Sequence, residues 1–150
     1  MDQAIRNQII SIISDVDDMT VATVREDGFP QATTVSYMND GLTIYFMTST
    51  DAQKTQNIAQ NNKVSLTINR PYERWDEIES LSLGGLATMV SDPQEQEKIG
   101  KLLIEKFPQA ADYEPEDDDF ELTVIRIDPK VISLLDYKKG FGHTELVEVS

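Results

Sequence analysis

Two glycine-bearing turns divide residues 19–47 into short β-rich runs, and this spacing constrains the fold more than any other feature. Glu26-Asp27-Gly28 and Asn39-Asp40-Gly41 each carry a glycine where a tight turn demands positive φ. Runs rich in β-branched residues flank them at 19–25, 31–38 and 42–47, and Pro30 opens the second. Runs joined by such turns predict an antiparallel meander. Strands that cluster by hairpins, rather than alternating with helices, point away from a parallel sheet.

The remaining segments extend this pattern. Ile5, Ile9, Ile12, Ile13 and Val16 recur at helical spacing and predict an amphipathic helix over 3–16, ended by Asp15, Asp17 and Asp18. A short helix is expected over 51–60 and a fourth strand over 64–68, where Val64, Leu66 and Ile68 alternate. A long strand follows over 78–90. Gly84-Gly85 within it marks a bulge or a close backbone approach. Asp92-Pro93-Gln94-Glu95 is a helix start, with Asp as N-cap and Pro at the first helical position. That helix runs to about Phe107, with Ile99, Leu102, Leu103 and Phe107 inward. Residues 108–119 read as a solvated acidic loop containing Glu116-Asp117-Asp118-Asp119. Two strands at 121–127 and 131–136 are expected on either side of an Asp-Pro turn, followed by a mixed tail. The expected fold class is mainly β with flanking helices, one domain over 1–150, built on a six-stranded antiparallel barrel. Closure of the barrel would remove exposed strand edges.

Composition limits the chemistry. The chain has 27 acidic and 13 basic residues, a formal net charge of -14. Such a field repels nucleic acid and anionic lipid. There is no cysteine and one histidine, His143, so disulfides, thiolate sites and multi-histidine metal sites within one subunit are excluded. No apolar run reaches membrane-spanning length and the N-terminus lacks a secretory pattern, so the expected compartment is the cytoplasm.

Three places offer binding chemistry. In Thr48-Ser49-Thr50-Asp51-Ala52-Gln53-Lys54, three hydroxyls stand where a strand gives way to a helix N-terminus. Free backbone N–H groups and the helix dipole favour an anion there, and Lys54 lies about one turn into the helix. Simple helix capping explains the same hydroxyls. Thr33, Thr34 and Ser36, in Gln31-Ala32-Thr33-Thr34-Val35-Ser36, put hydroxyls on both faces of the neighbouring strand, although Thr is also a common strand residue. His143, in Gly140-Phe141-Gly142-His143, is a ligand clamp, a general acid, a haem ligand or an exposed tail residue. Trp75 either stacks on a planar ligand or anchors a loop.

Taken in order, several segments resemble the pyridoxamine 5′-phosphate oxidase-like flavoproteins. They are Gly28-Phe29-Pro30-Gln31-Ala32-Thr33-Thr34-Val35, the Asp40-Gly41 turn, the run from Leu42 to Thr48 with Lys54 six residues on, Asn57-Ile58, Asn61-Asn62-Lys63-Val64-Ser65-Leu66, and Gly85-Leu86-Ala87 before Asp92. The resemblance covers roughly residues 1–136. It implies a split β-barrel, a homodimer and flavin mononucleotide (FMN) between the subunits. It places Thr33, Thr34, Val35 and Ser36 along the flavin ring and ribityl chain, and a flavin is a planar ligand of the kind on which Trp75 would stack. It places Thr48, Ser49 and Lys54 at the phosphate. The chain departs from the pattern at Thr33 and Gln53, where many members carry basic residues. It also has no tryptophan after Trp75 and no arginine after Arg126, whereas true pyridoxamine phosphate oxidases grip substrate with such C-terminal residues. The resemblance is therefore to the shorter, general-stress-type branch. It implies an FMN-dependent oxidoreductase acting on a small-molecule substrate or electron donor. The tail from Asp136 to Thr144 would fold over the flavin, with His143 or Tyr137 as proton donor. A non-catalytic flavin-storing protein, a haem or deazaflavin F420 binder on the same barrel, and a ligand-free acidic dimer are the alternatives.

Overall fold

The computed structural model describes residues 1–113 and 121–150. Its elements, in chain order, are α1 (Gln3–Asp15), β1 (Asp18–Val24), β2 (Pro30–Ser36), β3 (Met38–Asp40), β4 (Thr43–Ser49), α2 (Gln53–Gln60), β5 (Lys63–Asn69), β6 (Glu79–Met89), α3 (Pro93–Lys106), β7 (Leu122–Asp136) and β8 (Thr144–Glu148). The stretch 114–119 of the expected acidic loop lies outside the described residues. Its start is ordered, as Pro108–Asp112 form a 3-10 helix.

The strands form one curled antiparallel sheet in the order β2-β1-β5-β6-β7-β4-β3, with β8 added beside β7. This is the expected split barrel, and it corrects the expectation of closure. The two ends of the sheet, β2 and β3, are separated in the chain by Tyr37 alone, yet β2 pairs in the sheet with β1 and β3 with β4. The sheet therefore stays open along a seam between β2 and β4.

The strand count also shifts. Segments 121–127 and 131–136 are a single strand, β7, that runs through Asp128-Pro129. The ladder with β6 slips between Gly84 and Gly85, so Gly84 faces Val131 while Gly85 faces Pro129. A proline is tolerated at such an irregularity because its missing N–H is not needed there. On its other side β7 changes partner at the same place, from β4 (up to Ile127) to β8 (from Val131). The unexpected strands are the three-residue β3 and the tail strand β8.

The core fills the curl. α1 is capped by Asp2, whose carboxylate accepts from the Ala4 and Ile5 N–H groups. It lays Ile9, Ile12 and Ile13 against Phe46, Leu66, Ile127 and Leu134, all buried. The stripe read from the sequence is thus the buried one. Arg70 ties α1 to the sheet, donating to Asp15 (2.8 Å), Ser11 (2.8 Å) and Glu79 (2.6 Å). A second, smaller core lies under α3, where Ile99 meets Met38, Tyr45 and Val90, with Leu102, Leu103 and Phe107 partly buried around them.

Tyr37, at the seam, is fully buried and donates its hydroxyl to the Ile13 carbonyl at 2.6 Å. Lys106 sits 3.8 Å above its ring and donates to the Val16 carbonyl at 2.7 Å. Burial, followed by the nearby charges of Asp17, Asp18 and Asp15, pushes the Tyr37 phenol well above its usual range, with Arg70 opposing. Above about pH 10 the unfolded chain releases a proton that the native chain keeps, so stability falls as pH rises, by about 1.4 kcal/mol per pH unit. Burial lowers Lys106, against Asp17 and Asp15. The native chain then binds fewer protons below the ordinary lysine value, and this contribution rises with pH up to that value. Comparing Tyr37→Phe with the parent isolates the tyrosine part. The variant is expected to lose about 1 kcal/mol at neutral pH from the deleted hydrogen bond. It should also lose stability less steeply than the parent above pH 10 in denaturant titrations. Parallel slopes would refute this account.

Candidate functional site

The corner after β4 is built by its own hydroxyls. The Ser49 carbonyl accepts from the Ala52 N–H (3.0 Å) and the Thr55 hydroxyl (2.7 Å). Ser49 Oγ accepts from the Asp51 N–H at 3.3 Å, and the Thr50 hydroxyl meets that of Thr123 at 2.8 Å. These bonds shape the turn without capping the helix. The N-cap of α2 is Ala52, and no side chain caps the N–H groups of its first turn. Simple capping therefore does not account for these hydroxyls. The positive end of α2 is left to face whatever lies in front of it.

An open groove of about 330 Å³ adjoins this corner, lined by Val35, Ser36, Met38, Met47, Thr48, Lys54 and Leu103. The fold thus brings together four residues read from the sequence: Val35 and Ser36 from β2, Thr48 from β4 and Lys54 from α2. Ser49 is the next residue on β4. Thr33 and Thr34 continue along β2, on opposite faces. Thr34 is exposed, while Thr33 lies on the side of Val35. The Thr33 hydroxyl oxygen is buried and has no hydrogen-bond partner among the described residues. Lys54 is half-buried and makes no ion pair among the described residues.

The other expected site residues gather elsewhere. Trp75 stands edge-on to Tyr137 (6.3 Å between ring centroids) and to Phe141 (5.4 Å). Trp75 is 59% and Phe141 81% exposed. His143 belongs to the same turn: its carbonyl accepts from the Asp136 N–H, and its Nε2 lies 3.3 Å from Glu145. This cluster follows the C-terminal end of β7, whereas Thr48 pairs with Thr123 near the N-terminal end. Roughly 40 Å of strand contour separates the two ends. Within one chain, Trp75, Tyr137 and His143 therefore do not line the groove.

Sequence reasoning missed the apolar lining and the polar brace behind it. Met38, Met47 and Leu103 come from three elements, and nothing in their local patterns marks them. Asn57 is buried on α2 and bonds Thr23, Gln31 and Gln53. An Asn on the inner face of a short helix was the available signal.

A split antiparallel barrel with a groove at a helix N-terminus beside its open seam defines the class of protein. The chain belongs to the pyridoxamine 5′-phosphate oxidase family, whose model matches residues 5–136. It is 24% identical over 133 residues to general stress protein 26 of Bacillus subtilis (strain 168), covering 89% of each chain. A heme binding protein from Mycobacterium smegmatis shares the fold with a TM-score of 0.76 at 20% identity. That match covers 99% of this chain, which spans 58% of the longer protein. An F420 reductase matches with a TM-score of 0.64 at 27% identity, covering 82% of this chain and 94% of its own. Among the described residues no helix is long and apolar enough to cross a membrane.

Proposed function

We propose that this chain is an FMN-binding flavoprotein, working as a homodimer. The phosphate lies at the α2 corner and the flavin ring and ribityl chain along β2. The observation that carries this reading is the convergence of Val35, Ser36, Thr48 and Lys54 on one groove, Lys54 coming from the first turn of a helix without a side-chain cap. The Thr33 hydroxyl, buried on the Val35 side of β2, has no hydrogen-bond partner among the described residues and lies next to this wall without lining the groove. In a chain of net charge -14, Lys54 and the α2 N–H groups offset an unfavourable field only locally. When bound, FMN supplies the redox chemistry, and the protein supplies orientation and electrostatics.

The dimer follows from the same surfaces. β2 is an edge strand without a charged side chain, and such edges are normally covered. The exposed Trp75 and Phe141 form an apolar patch that also calls for cover. In a two-fold dimer each surface is used twice. The Trp75, Tyr137 and His143 cluster of one subunit then closes the groove of the other. Tyr137 and His143 become the proton-donor candidates in trans, toward a small-molecule substrate or electron donor. Pyridoxamine phosphate is not the substrate proposed. The chain's similarity to general stress protein 26 supports the short branch of the family.

The test is to load the purified chain with excess FMN, desalt it, and record its absorbance and its mass in solution. Retained flavin bands on a species of twice the chain mass are expected. Loss of all flavin on desalting, with a Soret band after haem titration, would replace this reading with haem binding, the function named for the mycobacterial structure. Bleaching by a reduced nicotinamide or another donor would separate an oxidoreductase from a flavin store.

A further inference from the structure

We propose that Asn57 is the positioning residue that holds Lys54 at its working distance from β2, an inference that rests on the flavin reading above. α2 has eight residues, too few to be stable alone. Its buried residues are Thr55, Asn57 and Ile58, so a single aliphatic side chain anchors it. Polar bonds must therefore set its position. Asn57 is 1% exposed, and both atoms of its amide are hydrogen-bonded. Nδ2 donates to Thr23 Oγ1 on β1 (3.0 Å) and to Gln31 Oε1 on β2 (3.1 Å), while Oδ1 accepts from Gln53 Nε2 (2.9 Å).

Each bond has a consequence for the groove. Gln31 precedes Thr33 and Val35 on the same side of β2. Asn57 thus joins the wall that carries Val35 and Ser36 to the helix that carries Lys54. Gln53 adjoins Lys54, and its bond to Asn57 ties its amide into the brace. The side chain at 53 is then a strut, and Lys54 is the one cation that α2 presents at this corner. The phosphate end of the ligand is where a shift of α2 would be felt, because the ring end rests on β2.

The experiment measures equilibrium binding of FMN and of riboflavin, which lacks the phosphate, to the full chain. The variants are Asn57→Ala, Gln31→Ala, Lys54→Ala and the two doubles with Lys54→Ala. Asn57→Ala is expected to weaken FMN about tenfold and to leave riboflavin within about twofold. Added to Lys54→Ala, it should cost little more, since residues acting through one another are non-additive. Gln31→Ala, at a half-buried position, repeats the test should Asn57→Ala fail to fold. Unchanged FMN affinity in both single variants overturns the proposal. So does equal loss of both ligands, or full additivity with Lys54→Ala, because either places Asn57 in the general stability of the fold. Where riboflavin binds too weakly to measure, the additivity decides. Failure of the parent chain to bind FMN removes the flavin reading itself, and the parent control distinguishes that result from the others.

Discussion

Gly85→Ala is expected to destabilise the chain by about 3 kcal/mol, a fall in Tm of roughly 6–12 °C for a protein of this size. A Cβ at Gly85 would lie 2.8 Å from the Asp128 carbonyl oxygen and 2.9 Å from Ile127 Cγ2. The first contact is backbone, paired to Leu86 of β6 where β7 changes its other neighbour, so it cannot turn aside as a side chain would. Gly84→Ala is the internal control. Its Cβ would meet nothing nearer than the Val64 carbonyl at 4.0 Å. It should change stability by less than about 1 kcal/mol, in the stabilising direction where the backbone permits. Thermal melts of the two variants check this directly. Equal losses at 84 and 85 would mean that the strand tolerates no side chain on either residue, and that the close approach to Asp128 is not the cause.

On the proposed flavin reading, Lys54→Ala should weaken FMN by about 10- to 100-fold, the worth of a charge-assisted hydrogen bond of about 1.5–3 kcal/mol. The fold should be untouched, since Lys54 makes no ion pair among the described residues. Salt provides a second readout. Affinity of the parent for FMN should fall with ionic strength, and that of the variant should fall less, because screening acts on the charge that was removed. Titration of flavin fluorescence at low and high salt measures both. Equal FMN affinity in parent and variant would move the phosphate away from the α2 corner.

Local structure was legible where neighbouring residues decide it. The turns at Gly28 and Gly41 have positive φ, 89° and 60°, as their sequences required. The stripe of α1 and the Asp92 start of α3 fall where periodicity and capping put them. Asp128-Pro129 reads locally as a turn, but pairing along both edges of β7 keeps the strand running through it. β8 was not legible, because Leu146 and Val147 are adjacent and fall on opposite faces, with Leu146 70% exposed. It is a strand because β7 offers it a free edge beyond the bulge.

The candidate site divides in the same way. Hydroxyls at a strand-to-helix corner with a lysine one turn on are a local pattern, and within it the family resemblance pointed to Thr48, Ser49 and Lys54. That Val35 and Ser36 share a groove with Thr48 and Lys54, while Trp75, Tyr137 and His143 collect at the far end of β7, depended on strand order. So did the brace through Asn57, which spans 34 residues to Thr23 and 26 to Gln31. The sequence by itself determined the stripe of α1, the turns at Gly28 and Gly41 and the start of α3, because turn chemistry, capping and periodicity act over a few residues. Only the tertiary structure decided which side chains share a groove, because sheet register and the open seam join residues whose separation along the chain leaves no local trace.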